Sequence, residues 1–449
     1  MPTPTKHRAA LLAVAIFLPA LVARPDSEAW AASAGRAAEH RFPRPRTIAG
    51  FIAEQPRAAG AFVDSLGVNV HLGEQGTPYA ANFSTMANQL ASLGIHHVRD
   101  GMQTGQLQTC SQARQLAAEG VRFQYITVIS DRSADLISWA ACAGNAVERF
   151  EAPNEYDITH PGDDSNWPAT LNAFQRSLWA TVKGTAALAN VSVAGPALIG
   201  ASDYAAVGDL SAFEDVGNMH DYFEGRNPGT PGWGSGGYGS IPYNLAEAAY
   251  GSVSKPIEST ETGYEIAPAL GNSDVTEWVA AKYLPRLFLE QWNAGVPRTY
   301  LYEMYDEGSA PFDHYGLVRS DTLAPRWGYW ALKNLVAVLQ DSALSLGNAG
   351  PLYWSLSGQT WNVHHSILQK ADGTLYLALW IEWPYNDPNS GAVFSIPPQT
   401  VTVTMPAAPN SASIYSYDSR MNLNPMPISP STQIHLTLTD SVTLLRMKW

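Results

Sequence analysis

The chain has 449 residues, with 27 Lys and Arg against 40 Asp and Glu, and hydrophobic residues make up 45% of it. With charged residues at only 15%, this composition suits a folded chain with a large core and excludes an intrinsically disordered one. The formal net charge of -13 argues against nucleic acid and anionic membrane surfaces as partners, because both attract basic patches.

The first 31 residues are typical of an export signal. A short basic region at 6–8 precedes an apolar run at 9–23, and small residues at 29–31 mark a cleavage site. The apolar run is shorter than the roughly 20 residues that span a bilayer, which disfavours the alternative of a membrane anchor. We therefore expect a mature chain that begins near Ala32, has no membrane span and is secreted or periplasmic.

Residues 61–340 follow a lead-in at 32–60 and alternate between apolar runs and helix-like stretches. Helix signals include 84–93 and 167–189, the latter opened by Asn166 as a cap. Eight strand–helix units in about 275 residues predict a (β/α)8 TIM barrel. The rival, a doubly wound sheet, lacks a glycine-rich phosphate motif after the first strand. The eight predicted strands are 66–71, 95–99, 121–128, 147–151, 191–194, 216–220, 256–260 and 299–302.

Residues 341–449 show a different pattern. Alternating runs separated by Pro- and Asn-rich turns predict a C-terminal antiparallel β-sandwich. We expect its aromatic residues Trp380, Trp383 and Tyr385 to pack on the barrel, although sugar binding is the alternative. The predicted strands are 375–381, 401–404, 413–417, 434–438 and 442–445.

The two cysteines, Cys110 and Cys142, lie near predicted helices that would be neighbours in a barrel. In an oxidising compartment they could form a disulfide. Two buried free thiols are the alternative, and the sequence does not decide between them.

Two glutamates stand at the ends of barrel strands, where barrel enzymes carry their chemistry. Glu155 follows the fourth strand and Glu261 the seventh, and these ends face each other obliquely across a small barrel. Cleaving an acetal needs one protonated and one ionised carboxyl, which unlike surroundings can provide. Each could instead be a solvated loop carboxylate. The pair at two strand ends, with Asn154 before one and Thr260 before the other, favours catalysis.

These motifs resemble a known group of enzymes. Asn154-Glu155 and the Thr-Glu-Thr-Gly segment 260–263 are similar to the acid/base and nucleophile signatures of clan A glycoside hydrolases. The resemblance covers about 66–340 and implies a retaining enzyme on a (β/α)8 barrel. The trailing sandwich resembles that of members of family 39 and some of family 5. Further similar segments are 94–100 with the clan's Arg, 217–222 with its His and Tyr, and 312–332 after strand eight.

The roles follow from glycosidase chemistry. Glu261 would attack the anomeric carbon, and Arg99 beside it would keep it ionised while also facing the sugar. Glu155 would protonate the leaving oxygen and then deprotonate water. Asn154 would bond the sugar 2-hydroxyl, and Tyr222 would donate to Glu261 and contact substrate. We expect the two carboxyl groups about 5–5.5 Å apart, as retention requires, rather than 6.5–9.5 Å.

Other substrate-binding candidates surround the pair. His71 and His220 are possible hydroxyl ligands, with satisfied core histidines as the alternative. Many clan members end strand eight with Trp, whereas residues 300–305 here read Tyr-Leu-Tyr-Glu-Met-Tyr, so Tyr302, Tyr305 or a loop Trp would be the sugar platform. The loop 227–243, which carries Trp233, is either a wall of the binding site or a packed surface loop.

Competing carboxylates receive other interpretations. Glu151 would point inward, deeper than Glu155, as structural support. Glu258 lies an odd number of residues from Glu261, so strand alternation would turn it towards the helices. Glu303 and Asp306 are nearer rivals for the charge on strand eight. We expect no metal and no cofactor, because the pairs at 96–97 and 364–365 are adjacent histidines, which point to opposite faces of a strand.

The sequence thus predicts a secreted retaining glycoside hydrolase that cleaves β-glycosidic bonds in a poly- or oligosaccharide. A non-catalytic carbohydrate-binding or surface protein on the same barrel is the alternative, and a transglycosylase would use the same chemistry. The sugar, the linkage, endo or exo action and the oligomeric state are not encoded in any recognisable motif.

Overall fold

The computed structural model describes residues 50–200, 202–234, 236–266, 274–308, 313–385, 387 and 394–449. The predicted export signal, residues 32–49 of the lead-in and Phe312 lie outside this part of the chain. Among the described residues, no helix is both long and apolar enough to cross a bilayer.

The described chain begins with two short strands, β1 (Ile52–Glu54) and β2 (Arg57–Ala58), and then forms the barrel. All eight barrel strands are parallel and follow the order β7-β6-β5-β4-β3-β10-β9-β8, with a bridge from Ala194 to Val216 at the remaining gap. The eight predicted strands are confirmed. They are β3 (Leu66–Asn69), β4 (His97–Gly101), β5 (Arg122–Ile126), β6 (Val147–Glu151), β7 (Ser192–Ala194), β8 (Gly217–His220), β9 (Ile257–Thr262) and β10 (Thr299–Leu301).

Helices surround this sheet, and their apolar faces pack on it. In the helix Phe83–Leu93 the buried residues are Met86, Leu90 and Leu93, one face at helical spacing, and Gly94 ends it in the left-handed conformation with φ 79°. The α-helices are Ala59–Asp64, Pro78–Ala81, Phe83–Leu93, Leu107–Ala118, Ser133–Ala143, Tyr156–Thr159, Trp167–Gly184, Asp203–Val207, Ile241–Ala248, Glu277–Asn293 and Trp327–Leu339, with 3-10 turns at Gly144–Ala146, Ala186–Leu188 and Ser211–Phe213.

The long helix Trp167–Gly184 differs from its prediction at both ends. Asn166 stands at the cap position, but its side chain makes no capping hydrogen bond. The helix ends at Gly184 instead of continuing to residue 189, because glycine is a poor helix former and Thr185 is extended. A 3-10 turn, Ala186–Leu188, completes the segment.

Cys110 and Cys142 form a disulfide, with Cα atoms 5.9 Å apart. The bond links the helices Leu107–Ala118 and Ser133–Ala143, which the barrel places side by side. Of the two possibilities left open by the sequence, the structure therefore has the bridge.

The C-terminal domain is a sandwich of two sheets, ordered β1-β11-β14-β17 and β16-β15-β18-β13-β12-β2. All five predicted strands are present, whereas β11, β12 and β16 are not predicted. The edge strand β16 contains Pro425 and Pro427, and prolines obscure a strand pattern while being tolerated at an edge. The strands are β11 (Leu352–Gly358), β12 (Val363–Gln369), β13 (Leu375–Ile381), β14 (Gln399–Thr404), β15 (Ser411–Tyr417), β16 (Leu423–Ile428), β17 (Gln433–Leu438) and β18 (Thr443–Lys448).

The lead-in contributes to this sandwich. β1 pairs with β11 antiparallel, and β2 pairs with β12 parallel, so the described end of the 32–60 segment belongs to the C-terminal sheets. Strands of two or three residues are too short to show alternation, which is why the sequence pattern does not reveal them.

The barrel and the sandwich share a buried interface. Trp380 is fully buried in the same core cluster as the barrel residues, as expected. Arg286 on the barrel helix Glu277–Asn293 pairs with Glu382 at 2.7 Å, and Lys282 of the same helix pairs with Asp440 at 2.8 Å. The backbone N–H of Tyr385 donates to the hydroxyl of Tyr283 at 2.6 Å, so this aromatic residue also packs on the barrel.

A bulge in β9 decides which of its residues point into the barrel. Asn218 pairs with Glu258 and Met219 with Ser259, but His220 pairs with Glu261, so one extra residue is inserted on β9. Alternation therefore breaks before Glu261. Glu258 is inside the barrel, where it accepts from Gln124 at 2.8 Å, and the prediction that it faces the helices is wrong.

Candidate functional site

Glu261 lies at the C-terminal end of β9 with its side chain 13% exposed. Its Oε1 accepts from Nη1 of Arg99 at 2.6 Å, and its Oε2 accepts from the hydroxyl of Tyr222 at 2.9 Å. Burial raises the pKa of Glu261, but the charges of His220 and Arg99 outweigh burial and hold this pKa below its usual range. Glu261 is therefore a carboxylate at neutral pH.

Arg99 lies beneath this carboxylate and is 1% exposed. All five of its N–H donors are used: two bind Glu151, and the others bind Asn69, Glu261 and Asn154. These bonds use every donor of Arg99, and the expectation that Arg99 also faces the sugar stays a prediction. Its contacts orient Glu261, and Glu151 is fully buried support for Arg99, as predicted.

Glu155 occupies the turn between β6 and the helix Tyr156–Thr159. Its backbone is left-handed, with φ 45° and ψ 47°, a conformation that few non-glycine residues adopt. This turn places the side chain, which is 16% exposed, against His220, whose Nδ1 lies 2.7 Å from Oε1 of Glu155.

His220 connects the two glutamates through a defined tautomer. The Thr260 hydroxyl donates to Oδ1 of Asn218 at 2.8 Å, so it accepts from Nε2 of His220, which lies 3.1 Å away. Nδ1 then shares one proton with Glu155. Burial lowers the pKa of His220, but the Glu261 charge and the Glu155 hydrogen bond have a larger, opposite effect, so the pKa is raised overall. The Glu155–His220 pair thus holds a transferable proton.

The two carboxylates converge at a short distance. Glu155, His220 and Glu261 each place one oxygen or nitrogen atom within 4.8 Å of the other two. Glu261 is bound by a guanidinium and a phenol, while Glu155 is bound by an imidazole. The two carboxyl groups therefore have unlike hydrogen-bond partners.

Asn154 and Tyr222 adjoin the pair. Oδ1 of Asn154 accepts from Nη2 of Arg99 at 2.6 Å, which orients its amide NH₂ away from this contact. Tyr222 is partly buried and donates to Glu261, as expected. Both side chains therefore lie beside Glu155 and Glu261, and their contact with a substrate stays a prediction.

A second polar cluster lies beside this pair, on the ends of β3 and β10. Nε2 of His71 is 3.2 Å from Oε2 of Glu303, and the hydroxyl of Tyr79 donates to the same oxygen at 3.0 Å. Burial lowers the pKa of His71, but Glu303 and the nearby carboxylates raise it to about 10. Burial raises the pKa of Glu303 to about 8, which makes Glu303 a poor rival for an ionised nucleophile.

The tyrosines of strand eight are not open platforms. Tyr302 is 4% exposed and its ring packs edge-on against His71 and Tyr315, while its hydroxyl donates to Glu307. Tyr305 is fully buried. The expectation that one of these rings offers a free face to a sugar is therefore wrong for Tyr305. For Tyr302, little more than the edge of the ring is exposed.

The loop after β8 is aromatic and partly exposed. Trp233 packs edge-on against Tyr238, and Arg226 stacks over the Trp233 ring at 4.3 Å. The segment ends at Ser240, which caps the helix Ile241–Ala248, three residues earlier than predicted. Trp233 has these loop contacts, and its place as a wall of the binding site remains a prediction.

Three residues of the site are not predicted from the sequence. Asn69 accepts from Arg99, Tyr79 donates to Glu303, and Tyr315 packs against Tyr222 at 5.9 Å between ring centroids. For Asn69 a signal exists, because it lies two residues before His71 and hence on the same strand face. Tyr79 and Tyr315 come from segments without strand pattern.

Carboxylates and imidazoles also meet in two other groups that could hold a metal ion. They are His71 with Glu74 and Glu307, and His364 with Glu290 and Glu382. Each histidine in them is ion-paired to a carboxylate, at 3.2 Å for His71 and Glu303 and at 2.6 Å for His364 and Glu290. The expectation that this chain uses no metal stays a prediction.

No family model and no curated protein matches the sequence. Solved structures do match in fold. The chain is similar to a family 51 arabinofuranosidase from Xanthomonas axonopodis pv. citri, with 13% identity and a TM-score of 0.55 over 88% of this chain and 98% of that one. The family 51 α-L-arabinofuranosidase of Thermotoga petrophila matches with 10% identity and a TM-score of 0.57, over 88% and 98%.

The α-L-arabinofuranosidase of Thermotoga maritima gives the same result, with 10% identity and a TM-score of 0.56 over 89% of this chain and 98% of that one. At such identities the likeness establishes a shared fold, the barrel with its sandwich. The finer resemblance to families 39 and 5 stays a prediction.

Proposed function

We propose that this chain is a secreted retaining glycoside hydrolase that cleaves β-glycosidic bonds in a poly- or oligosaccharide by double displacement. One observation carries the proposal: Glu155 and Glu261, from separate strand ends, meet His220 within 4.8 Å and have different partners. One oxygen of Glu155 and one of Glu261 lie within 4.8 Å of each other. This proximity supports the closely spaced carboxyl pair, about 5–5.5 Å apart, that a retaining mechanism uses.

In the first step the Glu261 carboxylate attacks the anomeric carbon while the bond to the leaving oxygen breaks. The leaving oxygen takes the proton that Glu155 shares with His220, so no alkoxide is released. Arg99 and Tyr222 hold the attacking carboxylate in place by hydrogen bonds of 2.6 and 2.9 Å. The product of this step is a glycosyl ester on Glu261.

In the second step water attacks the same carbon and gives a proton back to Glu155, and the ester bond to Glu261 breaks. Two inversions leave the anomeric configuration unchanged. Among the described residues the amide NH₂ of Asn154 has no hydrogen-bond partner, so it is available to donate to a sugar hydroxyl. This contact strengthens as the ring gains positive charge.

A hydrolysis screen of the protein from Ala32 onwards tests the proposal. The panel contains xylan, β-glucan, mannan and an exopolysaccharide, together with an aryl α-L-arabinofuranoside because enzymes of similar fold act on arabinofuranosides. We expect cleavage by the wild type, none by Glu261→Gln, and a first product of retained configuration by NMR.

Other outcomes point to the alternatives. A first product of inverted configuration contradicts double displacement. Products longer than the substrate identify a transglycosylase. Binding of a polysaccharide without cleavage, equal in the wild type and Glu261→Gln, identifies a non-catalytic carbohydrate-binding protein.

A further inference from the structure

A cavity of about 550 Å³ lies between the loop after β8 and the sandwich. This volume falls within the range of about 300–1,000 Å³ that is typical of small-molecule sites. Arg226, Asn227 and Thr230 line it from the barrel side, and Asn362, His364 and Trp383 line it from the sandwich side. The catalytic glutamates are not among its lining residues.

Trp383 and Phe394 line the cavity, and Trp361, which is not a lining residue, lies against Trp383 to form a Trp361–Trp383 wall beside it. Trp361, beside the lining residue Asn362, packs against Trp383 with ring centroids 4.3 Å apart and remains 53% exposed. Phe394, another lining residue, is 37% exposed. The expectation that Trp383 packs on the barrel is therefore wrong: it packs on the sandwich core and faces this opening. Exposed aromatic faces beside polar groups suit the C–H faces and hydroxyls of a sugar ring.

Three charged groups that line the cavity have charged partners: Glu382, His364 and Arg226, whose Nη1 lies 3.9 Å from Oε2 of Glu224. Glu382 is 1% exposed and binds Arg286, the Asn227 side chain at 2.6 Å and the Gly229 backbone N–H at 2.9 Å. His364 pairs with Glu290 at 2.6 Å. Paired charges favour a neutral ligand over an ionic one, and the hydrogen bonds to Glu382 hold the two walls in a fixed arrangement before any ligand binds.

Arg226 joins this cavity to the loop beside the catalytic site. Its guanidinium stacks over Trp233, and its Nη1 is buried with no hydrogen-bond partner among the described residues. Its carbonyl accepts from the hydroxyl of Tyr264 at 2.9 Å, and Tyr264 is three residues after Glu261. The cavity thus borders the same loop that flanks the barrel mouth.

We propose that this cavity is a second saccharide-binding site, which holds a neutral sugar unit of the polymer that the barrel cleaves. The sugar would stack on the Trp361–Trp383 wall and bond to Arg226 and the neighbouring amides. The identity of the bound polymer rests on the proposed function. The binding chemistry of the cavity does not.

The test uses the full chain and the variants Trp361→Ala and Trp383→Ala. Xylohexaose, laminarihexaose and mannohexaose are titrated calorimetrically into Glu261→Gln, with and without each Trp substitution. We expect two binding sites for the recognised hexasaccharide and one after either substitution. In the active enzyme, KM for the polymer should rise about tenfold in Trp361→Ala, while kcat/KM on a short aryl glycoside stays unchanged.

Trp449→Ala is the matched control, because Trp449 is 45% exposed and does not line the cavity. If Trp383→Ala fails to fold, the more exposed Trp361→Ala decides alone. A single binding site in every variant, or a polymer KM in Trp361→Ala equal to that of the control, overturns this inference.

The two proposals fail separately. Cleavage by the wild type without a second binding site keeps the proposed function and removes the saccharide site. Two binding sites without cleavage of any substrate, with one site lost in Trp361→Ala, keep the saccharide site and remove the proposed hydrolase. No binding and no cleavage overturn both.

Discussion

The barrel contains two charged layers that are built alike but differ in access to solvent. In the upper layer, Arg99 reaches across to Glu151 and Glu261. In the lower layer, Arg149 reaches across to Glu258, which also accepts from Gln124 at 2.8 Å. Glu258 is 1% exposed, whereas Glu261 is 13% exposed. Of these two glutamates, Glu261 is the one whose side chain reaches solvent.

The two glutamates lie three residues apart on one strand, and their pKa values shift in opposite directions. Burial raises the pKa of Glu258, and its ion pair with Arg149 does not cancel the effect. Burial also raises the pKa of Glu261, but His220, Arg99 and Tyr222 together have a larger, opposite effect, so the pKa is lowered overall. An inward-facing Glu in a barrel is thus not by itself a nucleophile: the number of cationic and donor groups around it decides.

The largest effect is expected from Glu261→Ala. Without the attacking carboxylate no glycosyl ester forms, so activity should fall by several orders of magnitude on every substrate that the wild type cleaves. Steady-state rates and mass spectrometry of the trapped ester measure this. If azide restores the activity of Glu261→Ala, a glycosyl azide of inverted configuration is compatible with Glu261 as the nucleophile. A glycosyl azide of retained configuration would instead exchange the roles of the two glutamates.

Glu155→Ala should cost less, about 10²–10⁴-fold, because it removes proton transfer and leaves the nucleophile. A substrate with a good leaving group should still form the ester, and turnover should stall there. Added azide should then restore turnover and give a glycosyl azide of retained configuration, which NMR identifies. Failure of azide with such a substrate would move the acid/base role to another residue, with Glu303 the first to test.

Glu258→Ala should change stability more than chemistry. It leaves Arg149 as an uncompensated charge in the lower layer, and breaking a buried pair costs about 3–5 kcal/mol. Urea unfolding measures the loss, while kcat of the folded enzyme should stay within a few-fold of the wild type. Glu258→Gln, which keeps hydrogen-bonding capacity, is the control with a smaller loss. A collapse of kcat in a folded Glu258→Gln would place catalysis in the lower layer.

The smallest effect concerns pH. Glu148, beside the lower layer, is bound to His97 and Arg298, which lower its pKa to about 2 although burial raises it. Since the unfolded pKa is near 4.5, the carboxylate stabilises the fold fully above about pH 4.5, and this is lost as pH falls towards 2. Between pH 6 and pH 2.5, urea unfolding should show a decline in stability that is smaller in Glu148→Gln, by on the order of 2 kcal/mol. Equal declines would show that Glu148 is not stabilised by its partners.

The sequence by itself determined the repeating part of the fold. Periodicity and length are local properties of a sequence. The sequence therefore predicts the eight barrel strands, five of the sandwich strands and the C-terminal ends of these strands. Glu155 and Glu261 could be chosen because the barrel topology brings such ends together. The very short strands β1 and β2 could not be found this way, since their stability comes from β11 and β12, about 300 residues further along.

Tertiary structure decided the orientation of Glu258 and the complete set of partners of Arg99. The bulge in β9 turned Glu258 inward against simple alternation, and no local pattern marks an extra residue whose place depends on pairing with β8. Likewise Arg99 gave all its donors to protein partners on β3, β6, β9 and the turn after β6. Hydrogen-bond saturation and burial depend on atoms brought together from distant segments. For that reason the sequence could place Arg99 and Tyr222 beside Glu261, but it could not show that His220 binds Glu155.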